Sequence, residues 1–349
     1  VIPGQALGQI AAFHVQARDN GAPQAVSRFP AGAPAHECLV RWGEGDPGSA
    51  LGSYRFWMSR ANINEWTSRE KQSDEYLDMT FVSGNDRVIY NAGIRWRGSP
   101  FVRPSMEPPE SIDSRGAYRV KLPSDEPFLG VDELNLDSME SSRDVTQQRE
   151  RTAFQIAGQM GLPMSYQRYI FVHLNGRQHS YAYADTHHIE KDYLSEWFSG
   201  DDEGDLHKLD DWFEFNSFSA GDFASQDADL GLYTTTGGEK KKARYRWNWE
   251  KKARKSFDAD YTGLFRLADA ANLSNEQYTA TLESIADMRQ WMKVIAFRHI
   301  VADWDGYGYN RGKNMYMYAP VGGRWNLLLW DLDFALNAEG SVDPYTDLF

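Results

Sequence analysis

The chain has 349 residues, 41% hydrophobic and 14% aromatic, enough to bury a sizeable core, which excludes wholesale disorder. With 50 Asp and Glu against 37 Lys and Arg, the net charge is −13, a field that repels phosphate backbones and argues against nucleic acid as a partner. The lone cysteine, Cys38, cannot form an internal disulfide, and no apolar run is long enough to span a bilayer, so no membrane insertion is expected in this segment.

Residues 1–35 read as the end of a preceding β-sandwich-like domain and a linker. Ile10–Ala17 alternates as a strand does, Arg18-Asp19-Asn20-Gly21 is a turn signal, and Phe29-Pro30-Ala31-Gly32-Ala33-Pro34 is extended. Residues 36–349 then form a second domain, in what reads as a piece cut from a longer protein. Its first part is strand-rich, with runs at Cys38–Trp42, Tyr54–Met58, Leu77–Val82 and Arg87–Tyr90, and Asn85-Asp86 marks a hairpin turn. A helix follows, with Val145, Thr152, Ala153, Ile156, Ala157 and Met160 on one face and Ser141, Ser142 or Asp144 as caps. Tyr166–Leu174 and Gln178–Ala184 flank Asn175-Gly176, a strong hairpin signal. A second helical stretch is predicted from Ser274 to about Ala302, and a hairpin of Met315–Tyr318 and Trp325–Trp330 closes the pattern. This order of elements predicts an α+β fold.

Between the helical stretches lies an acidic run from Asp201 to Glu214, followed by a window, 239–255, with nine bases and two acids. That window is either a solvated insertion paired with the acidic run or a stripe that holds an anionic ligand or acidic substrate.

The strongest chemical signal is C-terminal. Asp303-Trp304-Asp305-Gly306 leaves a helix, Asn310 and Asn314 precede a strand, and Trp330-Asp331-Leu332-Asp333 ends the next one. Carboxylates at the ends of apolar strands are costly unless a cation meets them. Two Asp-x-Asp pairs with carboxamides make an oxygen-rich set that suits Mg²⁺ or Mn²⁺ rather than zinc. An Asp followed five residues later by Asn, then by a strand-end Asp, is also the order of parts in a phosphoryl-transfer centre. By this spacing Asp305 would accept the hydroxyl proton, and Asn310 with Asp331 would hold the metal.

Upstream, Gly93-Ile94-Arg95-Trp96-Arg97-Gly98-Ser99-Pro100 reads as a basic hairpin turn able to meet phosphates through Arg97. In Tyr118-Arg119-Val120-Lys121 the alternation places Arg119 and Lys121 on one side. Glu150 falls on the apolar face of its helix and calls for a cation, with Lys121 as the expected partner, and Arg149 borders the same face. His187 and His188 lack metal-ligand spacing, and His299 reads as a satisfied core histidine. The absence of a nucleophile elbow, a Walker A sequence and a dinucleotide fingerprint disfavours serine hydrolases, P-loop NTPases and Rossmann enzymes.

These residues resemble the CotH family of spore-coat-type atypical protein kinases over about residues 90–337. The likeness rests on Arg95-Trp96-Arg97-Gly98-Ser99, Tyr118-Arg119-Val120-Lys121, Arg149-Glu150, Asn175-Gly176, Asp303-Trp304-Asp305-Gly306-Tyr307, Asn314-Met315-Tyr316-Met317-Tyr318 and Trp330-Asp331-Leu332-Asp333. The resemblance implies a degenerate protein-kinase-like fold that binds ATP with Mg or Mn and phosphorylates Ser or Thr hydroxyls of a protein partner. It further implies Asp305 as the catalytic-loop Asp, Asn310 or Asn314 as the metal Asn, Asp331 with Asp333 as the metal acids, and Lys121 as the phosphate lysine. A secreted or cell-envelope location, within a longer chain, goes with the β-rich flank. A pseudokinase-type binding module and a metal-dependent phosphate hydrolase are the competing readings.

Overall fold

The computed structural model describes residues 2–98, 116–138, 146–217, 222–252 and 260–336. The expected caps Ser141, Ser142 and Asp144, the helix residue Val145, and Ser99-Pro100 lie outside the described residues. The chain divides into two compact units, Val1–Glu140 with Gln167–His188, and Ser141–Tyr166 with Ile189–Phe349.

The first unit is built of strands. β1 (Ile10–Phe13) pairs with β4 (Cys38–Arg41), and β2 (Val15–Arg18) pairs with β3 (Val26–Phe29). Then come β5 (Gly52–Trp57), α1 (Arg60–Ser68), β6 (Leu77–Ser83), β7 (Arg87–Arg97), β8 (Ala117–Lys121), β9 (Glu133–Asp137), β10 (Gln167–Leu174) and β11 (Arg177–Thr186). Seven of these strands close a barrel in the order β10-β11-β9-β8-β7-β6-β5, sealed by the parallel pairing of β10 with β5. Closure removes the sheet edges that would otherwise invite pairing with other chains. The alternation in β8 follows the predicted faces, with Tyr118 and Val120 buried, Arg119 half-buried and Lys121 exposed. Asn175 and Gly176 turn the β10–β11 hairpin with φ of 47° and 85°, the left-handed pair that a two-residue turn requires.

The interior is dominated by rings. Trp66 of α1 meets Trp96 at 4.9 Å and Tyr118 at 5.7 Å between ring centroids, and Phe56 and Phe81 complete the filling. The segment Gly93–Arg97 is a correction to the sequence reading. It is no turn but the end of β7, paired residue by residue with β8. Ile94 and Trp96 are buried on alternate positions, so the period-2 signal outweighs the glycine. Gly93 is needed for another reason: a Cβ there would lie 2.9 Å from that of Tyr76.

The second unit contains α2 (Arg149–Gln159), α3 (Lys191–Trp197), β12 (Asp205–Leu209), β13 (Trp212–Ser217), β14 (Asp222–Gln226), α4 (Lys242–Asn248), β15 (Trp249–Lys251), α5 (Thr262–Ala271), α6 (Tyr278–Ile285), α7 (Met288–Ile300), β16 (Met315–Ala319) and β17 (Asn326–Leu329). Its main sheet runs β15-β12-β16-β17. The helices pack a core that includes Phe154, Leu264, Leu267, Val294, Phe297, Leu327 and Leu329. The predicted helix from Ser274 is two helices, because the backbone of Trp325 intervenes. Trp325 N–H donates to Ile285 O at 2.8 Å and its carbonyl accepts Asp287 N–H at 2.9 Å. Asp287 then caps α7, its Oδ1 accepting Gln290 N–H at 3.1 Å.

The charge blocks are partly paired with each other. Lys251 of the window meets Asp205 of the acidic run at 3.0 Å, which favours the reading as a paired insertion. With seven helices and a closed barrel among the described residues, the α+β class stands. Among those residues no helix is long and apolar enough to cross a membrane.

Candidate functional site

The antiparallel pairing of β16 with β17 sets Met315 opposite Leu329. The residues just before β16 and just after β17 therefore emerge at the same end of the sheet, Asn314 on one side and Asp331 on the other. Both stand in the left-handed region, at φ 56° and 57°, and Ala302, at the start of the acidic loop, sits at 52°. Asn and Asp tolerate this conformation better than most residues, but three such positions around one site store strain that packing must hold.

Arg298 does much of that holding. It lies on the core face of α7 with Trp291 and Val294 and is 0% exposed. Its guanidinium pairs with the Asp303 carboxylate, donates to Asn314 O, and reaches Trp330 O at 3.0 Å. One buried cation thus ties the helix to both arms of the hairpin. Gly306 is required beside it, because a Cβ would fall 1.7 Å from Arg298 Nη1. Sequence reading missed Arg298, although a cation at i+7 from Trp291 on an apolar face was a signal that an acid must be close.

Asp305 is 6% exposed. Its Oδ2 accepts Asn314 Nδ2 at 3.2 Å and pairs with Lys313 Nζ at 3.0 Å, and its carbonyl accepts the same Asn314 amide at 3.0 Å. Burial works against the Lys313 ammonium, yet Asp211, Asp305 and Asp331 together push it above the ordinary lysine value. Asp303 is pushed up to about 6, first by burial, against the pull of Arg298 and with the repulsion of Asp331 and Asp305. Its Oδ1 is buried and has no hydrogen-bond partner among the described residues. The acids of the two stretches therefore share one electrostatic environment.

Glu150, 7% exposed in the first turn of α2, accepts Leu332 N–H through Oε1 at 3.2 Å. With Arg298 on the Trp330 carbonyl and Glu150 on the Leu332 amide, the backbone on both sides of Asp331 is pinned. One partner of Glu150 is thus a peptide N–H of its own unit. Lys121, expected to meet it, belongs to the barrel unit, where it ends β8 opposite Glu133. Arg149 opens α2 half-buried, and Asp333 is half-buried beside Leu332. Asn310 is exposed on the loop, whereas Asn314 is 7% exposed and touches Asp305, so geometry favours Asn314 as the amide of the set. Arg97, expected at phosphate, pairs with Asp137 at 2.5 Å on the barrel. Its neighbours Arg95 and Arg119 pair with Asp74 and Glu133. His299 is half-buried rather than in the core, with Nε2 at 3.0 Å from Gly308 O and its ring stacked on Tyr309.

The donor set suits a hard divalent cation. Asp305, Asp331, Asp333 and Asn314 offer oxygen ligands, and an added positive charge would relieve the repulsion by Asp331 and Asp305 that adds to burial in raising Asp303. A family model described as CotH kinase protein matches residues 94–343. No match was found among curated proteins.

Proposed function

On the premise that this chain belongs to the CotH kinase protein family, we propose that it transfers the terminal phosphoryl group of ATP to Ser or Thr hydroxyls of a protein partner, in a degenerate kinase-like arrangement. The observation that carries this reading is the convergence of Asp305 and Asn314, hydrogen-bonded at 3.2 Å, on the environment that they share with Asp331.

In this reading Asp305 accepts the proton of the attacking hydroxyl, and Asn314 keeps its carboxylate oriented through Nδ2. Asp331, Asp333 and the Asn314 carboxamide are the residues that would hold Mg²⁺ or Mn²⁺, which offsets the charge developing on the phosphates. Arg298 and Glu150 fix the two backbone segments, so the carboxylates need no reorganisation when substrate arrives. For Arg97, Lys121 and Arg149 the support for a phosphate-binding role is the family likeness.

The test is incubation of the purified protein with γ-labelled ATP and Mg²⁺ or Mn²⁺, using wild type and Asp305→Asn. Label on Ser or Thr that falls at least about 100-fold in the variant supports the kinase reading. Free phosphate without protein labelling would make it a hydrolase. Thermal stabilisation by Mg·ATP with neither product would make it a pseudokinase-type binding module.

A further inference from the structure

The loop from Asp303 to Asn314 is strapped down by a segment that sequence reading left without a role. Asp211, just after β12, has a side chain 2% exposed. It pairs with Arg311 Nη2 at 3.1 Å and lies 3.6 Å from Lys313 Nζ. Arg311 also donates to Asp227, at 3.0 Å from Nη2 and 3.2 Å from Nε. Between these two bases, Gly312 O accepts Ala228 N–H at 2.8 Å, and a Cβ on Gly312 would lie 2.3 Å from Ala228 O. Residues 311–313 are therefore gripped at consecutive positions by 211 and 227–228.

The cations in this region differ in what they can still reach. Arg298 is sealed, with its guanidinium on Asp303 and two carbonyls. Arg311 is turned to the strap. Lys313 bridges the strap carboxylate of Asp211 and the loop carboxylate of Asp305, and its side chain keeps 17% exposure. An ammonium has three donors, so two carboxylates leave one for a further oxygen.

We propose that Lys313 is a catalytic residue that meets the terminal phosphate of ATP, and that Asp211 positions it. The inference rests on the kinase reading above. If Asp305 takes the acceptor's proton, the acceptor oxygen lies within hydrogen-bond reach of Asp305 and the phosphorus about 3–3.5 Å beyond it. A cation 3.0 Å from Asp305 is then within reach of the phosphoryl oxygens. The surrounding carboxylates would repel a triphosphate, and a fixed ammonium counters that locally. Asp211, 3.6 Å from Nζ, is the second carboxylate that holds the ammonium in place beside Asp305. In the step itself the acceptor oxygen bonds to the γ-phosphorus and the bond to the β–γ bridging oxygen breaks. ADP leaves with that electron pair, and the hydroxyl proton goes to Asp305. Lys313 stays charged and transfers nothing.

The experiment compares Mg·ATP and Mg·ADP binding by calorimetry, together with kcat and KM for labelling, in wild type and in Lys313→Met, Lys313→Arg, Asp211→Asn and Asp211→Glu. Lys313→Met is expected to weaken ATP binding about 10- to 100-fold while ADP binding changes less than about 3-fold, and to lower kcat. Lys313→Arg, which keeps the charge and guards against a merely structural loss, restores part of the ATP preference. Asp211→Asn shows a smaller loss of the same preference, which Asp211→Glu recovers in part. If Lys313→Met keeps both the ATP preference and kcat while Asp305→Asn abolishes labelling, the inference is overturned and the kinase reading stands. If wild type binds neither nucleotide, both fall.

Discussion

The barrel and the β16–β17 end of the second unit are both well buried, but they bury different things. Inside the barrel, rings meet rings, and Arg119 pairs half-buried with Glu133. The two charged strand residues that are buried, Arg55 and Asp185, stand apart, Arg55 on the carbonyls of Glu44 and Gly84 and Asp185 on the Tyr54 hydroxyl and Arg168. At the hairpin end of the second unit, Arg298, Asp303, Asp305 and Asn314 are all under 10% exposed. Burying rings stabilises at little risk, whereas burying charges costs several kcal/mol each unless geometry and partners repay it. On the proposed function, the difference separates a scaffold from the region that would carry the chemistry.

That contrast can be broken most simply from the barrel side. Trp66→Ala removes a ring that is 1% exposed and is expected to cost about 3–5 kcal/mol in denaturant unfolding of the first unit. A loss below about 1 kcal/mol would mean that the ring cluster is not what holds the barrel.

A buried polar group in the second unit gives a slightly smaller and pH-dependent effect. Burial pushes His207 down to about 4, against the Trp249 carbonyl and Asp205 that raise it and with Lys251 that lowers it, and its ring lies between Tyr261 and Trp325. The unfolded chain takes up a proton near pH 6.5 while the folded one does not, so stability falls as pH drops from about 6.5 to about 4. The loss is about 3 kcal/mol for this group. Asp303 and Asp211, both raised to about 6, act in the opposite sense over the same range. Subtracting the pH dependence of His207→Gln from that of wild type isolates the histidine, and parallel curves would remove it as a source of acid sensitivity.

Much of this contrast was legible in the residues. Asn175-Gly176 and Asn85-Asp86 announce their hairpins through turn chemistry, which is local. Asp305 and Asp331 stand out because carboxylates at the mouths of apolar strands need a reason. What was not legible depends on partners distant in sequence. The parallel pairing that seats Gly52 opposite Ile170 and closes the barrel leaves no local mark. The break at Ala286 comes from Trp325. α5 was hidden in a charged region, although Leu264, Leu267 and Ala268 carry helical spacing. The role of Arg298 is hidden because an isolated charge reads as surface until its partners are known, and that of Asp211 because it stands in an acidic run whose expected partners are the basic window and not Arg311 and Lys313.

On the proposed function, the acids and amide of two stretches converge on a divalent ion that grips a nucleotide. Mn²⁺ binding in the presence of ATP, followed by electron paramagnetic resonance, tests it most directly. Wild type is expected to bind the ion in an ATP-dependent manner, and Asp331→Ala to weaken that binding by about 10- to 100-fold without a change in fold. Equal Mn²⁺ affinity in the two proteins would contradict the account.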